Sequence, residues 1–154
     1  MRNFLYSVER EYEVPVATLW DAWTDASKLE TWYHPTDLKN VAGLTESDPV
    51  DGGIWAVAVD VPEYGFVAYF FGKYSNVRYG DSLEHSLHYT QSLEEFQERD
   101  FETESHLVRV EFEDRGEKSW VKYSQFGEMP EEQIALSIQG MESYFDSLAN
   151  FLGR

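Results

Sequence analysis

The chain has 154 residues, sets 29 acidic against 12 basic side chains for a formal charge of −17, and contains no cysteine. That is the length of one domain, spanning 1–154, with a core large enough to need no covalent staples; without cysteine there are no disulfides, thiolate nucleophiles, Cys-ligated zinc or iron–sulfur clusters. The charge repels phosphate backbones and anionic lipid heads, and Lys and Arg are scattered singly with no basic patch to offset it, so neither nucleic acid nor a membrane surface is expected as a partner.

From Phe4 to Val14 the residues alternate, with Phe4, Tyr6, Val8, Tyr12 and Val14 on one side and Ser7, Glu9, Glu11 and Glu13 on the other, which predicts a half-buried strand. Arg10 interrupts the apolar side and needs either the strand's rim or a carboxylate partner. Pro15 suits the first turn of a helix, whose inner face is Leu19, Trp20 and Trp23. Asp25 can cap a second short helix carrying Leu29, Trp32 and Tyr33, stopped by Pro35. After the turn-rich stretch 47–53, Ile54 to Val61 alternates again, with Trp55, Val57, Val59 and Val61 facing one way. Pro62 to Gly65 turns the chain into Phe66–Val77, apolar on both faces at first and therefore a central or strongly twisted strand. Its run Phe66 to Phe71 is the longest apolar stretch, far short of the roughly 20 residues a spanning helix needs. The N-terminus lacks the apolar region of a secretory signal, so a soluble, cytoplasmic protein is expected.

Ser82 to Thr90 places Leu83, His85, Leu87 and Tyr89 on one face. Leu107 to Asp114 alternates Val108, Val110 and Phe112 with charged residues, and Ser119 to Phe126 sets Val121, Tyr123 and Gln125 on one side. These are antiparallel hairpins in series. Between them, 94–104 carries six acids and one Arg and reads as a solvated acidic loop, although Ser92 and Glu95 have the spacing of a capping box and leave a short helical turn open. After Pro130, the apolar residues Ile134, Ile138, Met141, Phe145, Leu148 and Leu152 follow at steps of four and three, which predicts an amphipathic helix of about six turns. Gly140 lies in its middle, where glycine costs about 1 kcal/mol relative to alanine; a close backbone approach or room for a ligand would each justify it. Strands that do not alternate with crossover helices exclude a doubly wound parallel sheet. The order predicts an α+β fold: a curved antiparallel sheet of about seven strands around one long C-terminal helix, with two short helices after the first strand.

Several of these residues, taken together, are familiar: Arg10 through Pro15, Leu19-Trp20-Asp21-Ala22-Trp23-Thr24-Asp25, Leu29, Trp32-Tyr33-His34-Pro35, the turn Asp51-Gly52-Gly53, and Gly140-Met141-Glu142-Ser143 with Leu148. They resemble the START-like, or SRPBCC, superfamily, and within it the branch of homologues of the activator of the ninety-kilodalton heat-shock-protein ATPase. The resemblance covers almost the whole chain and is most specific in the first thirty-five residues; 79–106 is longer and more acidic than the family pattern. It implies the birch-pollen-allergen-like helix-grip fold, with a cavity between sheet and helix that in many members takes apolar small molecules, lipids or polyketides among them, and in some serves cyclases. It implies no universal catalytic motif, so no catalytic residue is carried over. Trp32 matches a position bordering the cavity.

The chemistry-bearing residues support no stronger assignment. His85 and His88, three apart on a strand, point to opposite faces, and His34 and His106 are remote, so no metal site is expected. No phosphate-cradling loop or nucleophile elbow is present, and no cofactor is implied. The 5 Trp, 10 Tyr and 10 Phe suit either an aromatic core or a ring-lined pocket. The candidate ligand-binding residues are Trp32, Trp55, Val57, His85, Tyr89, Tyr123, Met141 and Phe145. The expected function is binding of a hydrophobic small molecule. The alternatives are a cyclase-, aromatase- or hydrolase-like enzyme using His85 with a tyrosine, and a chaperone-associated interaction module acting through 94–104. A homodimer and a protein partner stay open.

Overall fold

A computed structural model describes residues 2–153. The strands are β1 (Asn3–Tyr12), β2 (Lys39–Asn40), β3 (Glu46–Ser47), β4 (Ile54–Val61), β5 (Phe66–Arg78), β6 (Ser82–Thr90), β7 (His106–Arg115) and β8 (Lys118–Gly127); the helices are α1 (Val16–Thr24), α2 (Ala26–Trp32), α3 (Leu93–Glu98) and α4 (Glu131–Leu152). The strands form one antiparallel sheet in the order β1-β8-β7-β6-β5-β4-β2, with β3 also paired to β4. This is the predicted α+β arrangement, the sheet curling about the long C-terminal helix.

β1 buries Tyr6, Val8 and Tyr12 as its alternation predicts, but Phe4 is 60% exposed. Leu5 is an extra residue in the pairing with β8, a bulge that reverses the facing of everything before it. Phe4 therefore meets Phe126 edge-on at 5.8 Å, off the inner face. Arg10 finds its carboxylates on α4, 2.8 Å from both Glu142 and Asp146. Asp25 caps α2 by accepting from the backbone N–H groups of Ser27 and Lys28 at 2.9 and 3.2 Å. The two short helices press Trp20, Trp23 and Trp32 into the inner core, where Trp23 lies edge-on to Trp32 at 4.8 Å and to Phe145 at 6.1 Å. The indole N–H of Trp32 donates to the carbonyl of Ala22 at 2.7 Å, tying the second helix to the first.

The segment 94–104 is not a solvated loop. Ser92 accepts from the N–H of Glu95 at 3.2 Å and starts α3, whose Phe96 is 1% exposed. Phe96 packs on the outer face of the sheet against Ala56, Ala58, Tyr69 and Phe71, and Phe101 joins them. The acids remain on the solvent side while two rings anchor the segment, which is why its charge concealed its packing. This second apolar layer also explains why β4 and β5 are apolar on both faces.

Candidate functional site

α4 does not lie evenly against the sheet. Its C-terminal half buries Met141, Phe145 and Leu148 in the core and is fastened to β1 by Arg10 and by the Tyr12 hydroxyl, which donates to the carbonyl of Phe145 at 2.7 Å. In its N-terminal half the inward apolar residues, Ile134 and Ile138, are only partly buried, and Leu136 is exposed. Between that half and the ends of β1, β5, β6, β7 and β8 is a pocket of about 530 Å³. Phe70, Leu87, Met129 and Met141 form apolar wall; the exposed Glu104 and Gln133 mark the solvent side.

The pocket's polar groups form a connected network at its inner end. The hydroxyls of Tyr6 and Tyr123 both donate to Gln125 Oε1, at 2.7 and 3.2 Å. The Gln125 amide donates in turn to His106 Nδ1 at 2.7 Å, and His106 Nε2 donates to the carbonyl of Glu128 at 3.2 Å. This pattern fixes the amide orientation and the imidazole tautomer. Gly127 has room for this ring because it lacks a side chain: a Cβ there would collide with the imidazole of His106. Tyr33 and Tyr144 complete the lining, their rings edge-on at 4.9 Å. Burial raises the pKa of Tyr6, Tyr33, Tyr123 and Tyr144, so all four present un-ionised hydroxyls.

Of the eight candidate residues, Tyr89, Tyr123 and Met141 line this pocket. Trp32, Trp55, Val57 and Phe145 lie instead in the packed core, with His85 buried beside them. His85 stacks on Trp55 with ring centres 4.0 Å apart, and its Nδ1 bonds to the carbonyl of Ser86 at 2.8 Å. Burial lowers its pKa to about 4, so it is neutral near pH 7 and lies outside the pocket a substrate could enter. The pairing of His85 with a pocket tyrosine as acid and base therefore has no geometric basis here. His88 faces the other way, stacked on Phe71 at 4.8 Å and bonded to Thr103.

Sequence reasoning missed Tyr6, Tyr33, Tyr144, Gln125 and His106 as pocket residues. Two signals were present: Gln125 is a polar residue that follows Val121 and Tyr123 on one strand face, and Gly140 lines the pocket with nothing within 4 Å of where its Cβ would be. Close backbone approach is thereby excluded as the reason for that glycine. Among the described residues, no group of three or more His, Asp or Glu is placed to hold a metal ion, and no helix is long and apolar enough to cross a membrane.

The family model described as Activator of Hsp90 ATPase homolog 1-like protein matches residues 13–153. A solution structure from Staphylococcus epidermidis superposes with a TM-score of 0.78 at 22% identity, covering 99% of this chain and 91% of that one. The crystal structure of the AHSA1 protein from Silicibacter pomeroyi gives 0.78 at 20% identity, covering 96% of each chain. A protein from Rhodobacter sphaeroides gives 0.74 at 18% identity, covering 96% of this chain and 91% of that one. Likeness at these identities establishes the fold alone. No curated protein matches the chain.

Proposed function

The chain belongs to the activator of Hsp90 ATPase homolog 1-like family, and from that premise we propose that it acts as a single START-like unit that binds a small, largely apolar molecule beneath the N-terminal half of α4. The observation that carries this reading is the pocket itself. Its volume of about 530 Å³ falls within the range of about 300 to 1,000 Å³ typical of small-molecule sites. Apolar walls with a few convergent polar groups are the usual composition of such sites, the walls supplying affinity and the polar groups orientation. Gly140 adds to the case, because a helix interior that forgoes about 1 kcal/mol of propensity without any packing reason is consistent with space kept for a guest.

Binding without turnover is the better-supported form. The one imidazole in the pocket has both ring nitrogens engaged, one accepting from Gln125 and the other donating to Glu128, which leaves neither free to move a proton to or from a guest.

The test is binding of the neutral fluorescent dye N-phenylnaphthylamine to the full chain, to Gly140→Trp and to Gly140→Ala. The indole would extend from the helix into the pocket. The reading expects at least a tenfold loss of dye affinity in Gly140→Trp, with melting temperature maintained, and near-wild-type affinity in Gly140→Ala. Equal affinity in all three proteins would place the dye elsewhere and refute the assignment.

A further inference from the structure

The arrangement of donors, acceptors and charge at the inner end of the pocket carries a statement about which molecules fit. This deepens the binding reading above and rests on it. Among the pocket-lining residues, Glu104 is the one carboxylate and none is Lys or Arg. Arg2 reaches only the rim, where it donates to the Ser105 hydroxyl at 2.7 Å. A buried carboxylate or phosphate would thus meet no cation, a condition that ordinarily forbids burying a charge.

The hydroxyls determine what the inner end accepts. Tyr6 and Tyr123 each spend their single proton on Gln125 Oε1, so toward a guest they offer lone pairs only. The Gln125 amide is likewise committed to His106. Tyr144 makes no hydrogen bond among the described residues, so its proton is available. A group seated here meets lone pairs at Tyr6 and Tyr123 and can accept from Tyr144 or from Tyr33, whose hydroxyl likewise donates to no other described group. A hydroxyl donates to the first pair and accepts from the second; a carboxylate cannot donate and would face two acceptor oxygens.

We infer that the pocket selects neutral ring systems bearing a hydroxyl, seated among Tyr6, Tyr33, Tyr123 and Tyr144, and rejects carboxylates of the same shape. The burial that opposes ionisation of the four tyrosines opposes a guest anion for the same reason.

Three fluorescent probes with one ring system separate the contributions: phenanthrene, phenanthrol and phenanthrene carboxylate, titrated into the full chain near neutral pH. About 0.5 M salt shortens the Debye length to roughly 4 Å, so that the net charge of the protein does not itself exclude the anion. The expected order is phenanthrol tighter than phenanthrene by about 3- to 10-fold, the worth of one or two neutral hydrogen bonds, and the carboxylate weaker than phenanthrene by tenfold or more. The double variant Tyr33→Phe/Tyr144→Phe should bring the ratio of phenanthrol to phenanthrene affinity close to one, a change in ratio that a general loss of folding would not produce. Carboxylate binding as tight as phenanthrol, or a phenanthrol advantage that survives the double variant, would overturn the selectivity. If all three bind alike and Gly140→Trp blocks them, the pocket assignment stands and the selectivity fails. If none binds, both fail.

Discussion

Replacing Gly140 by alanine should stabilise this protein, and the reason lies in what the new methyl group does not touch. Gly140 sits inside the 22-residue helix α4, and an ideal Cβ built there has no neighbour within 4 Å. The substitution therefore brings no steric cost. It removes glycine's helical penalty, about 0.8 to 1 kcal/mol, part of which is the conformational entropy of the unfolded chain. For a chain of this size that corresponds to a rise of about 2 to 4 °C in melting temperature. Calorimetry gives the temperature directly, and urea unfolding at 25 °C gives the free energy, with an unchanged m-value as the control that the denatured state has not been altered. A methyl group fills little of a space of about 530 Å³, so dye affinity should hardly move. A fall in melting temperature would mean that the Cβ meets packed atoms, that α4 lies closer to the sheet than described, and that there is no pocket to explain.

The buried His85 makes stability depend on pH. Burial lowers its pKa from 6.5 to about 4, so as pH falls the unfolded chain takes up this proton first. Its stability contribution is complete above about pH 6.5 and drains away toward pH 4. By linkage the loss between pH 7 and pH 5 is about 2 kcal/mol. Measured against His85→Phe, which cannot titrate, the wild type should lose relative stability by that amount over the interval; a constant difference would show that His85 is not buried. Phe96→Ala should free α3 from the outer sheet face without melting the inner core, because Phe96 belongs to the separate apolar cluster on that face. Amide exchange should quicken across 93–105, and equal acceleration in α4 and β8 would contradict that separation. Arg10→Met should cost only about 1 kcal/mol, since the guanidinium and both carboxylates keep access to water. Urea midpoints at low and high salt should show the cost shrinking with ionic strength, and a loss several times larger would mark the pair as effectively buried.

The order of elements was legible because it rests on period. The alternation through Leu83, His85, Leu87 and Tyr89 gives one shared face of β6, buried at Leu83 and His85 and open at Tyr89, which is 53% exposed, and the steps of four and three from Ile134 to Leu152 give α4. β2 and β3 were not legible, since two residues have no period. Leu5 was missed because a bulge leaves no mark in composition while reversing the parity on which the reading of Phe4 depended. The acidic segment misled in another way: charge reports the solvent side of an element, and Phe96 and Phe101 on its other side were outweighed by the acids around them. Parity also explains the mixed outcome for the candidate site. It identifies which face a residue occupies but not how far along the strand the helix lifts away. On β6 the same face that buries Leu83 and His85 in the core gives Leu87 and Tyr89 to the pocket.

What decides where α4 lifts is also written in the helix, in the stripe beside the apolar one. Gln133, Ser137, Gly140 and Tyr144 follow at steps of four, three and four, all line the pocket, and so form a second continuous face of α4. Next to them run Ile134, Ile138, Met141 and Phe145, the residues that hold the helix to the sheet. Had the second stripe carried leucine or isoleucine, the apolar face would be wide enough to close on the inner sheet along its whole length. Instead it presents an amide, a small hydroxyl, no side chain at all and a phenol, which neither fill the space nor favour a dry contact with Phe70 and Leu87 opposite. The C-terminal half has no such deficit, and there Arg10 and the Tyr12 hydroxyl clamp it to β1. One helix therefore serves as core at one end and as the roof of a pocket at the other. The change from one role to the other falls at Gly140, where the chain forgoes helix stability and gains room.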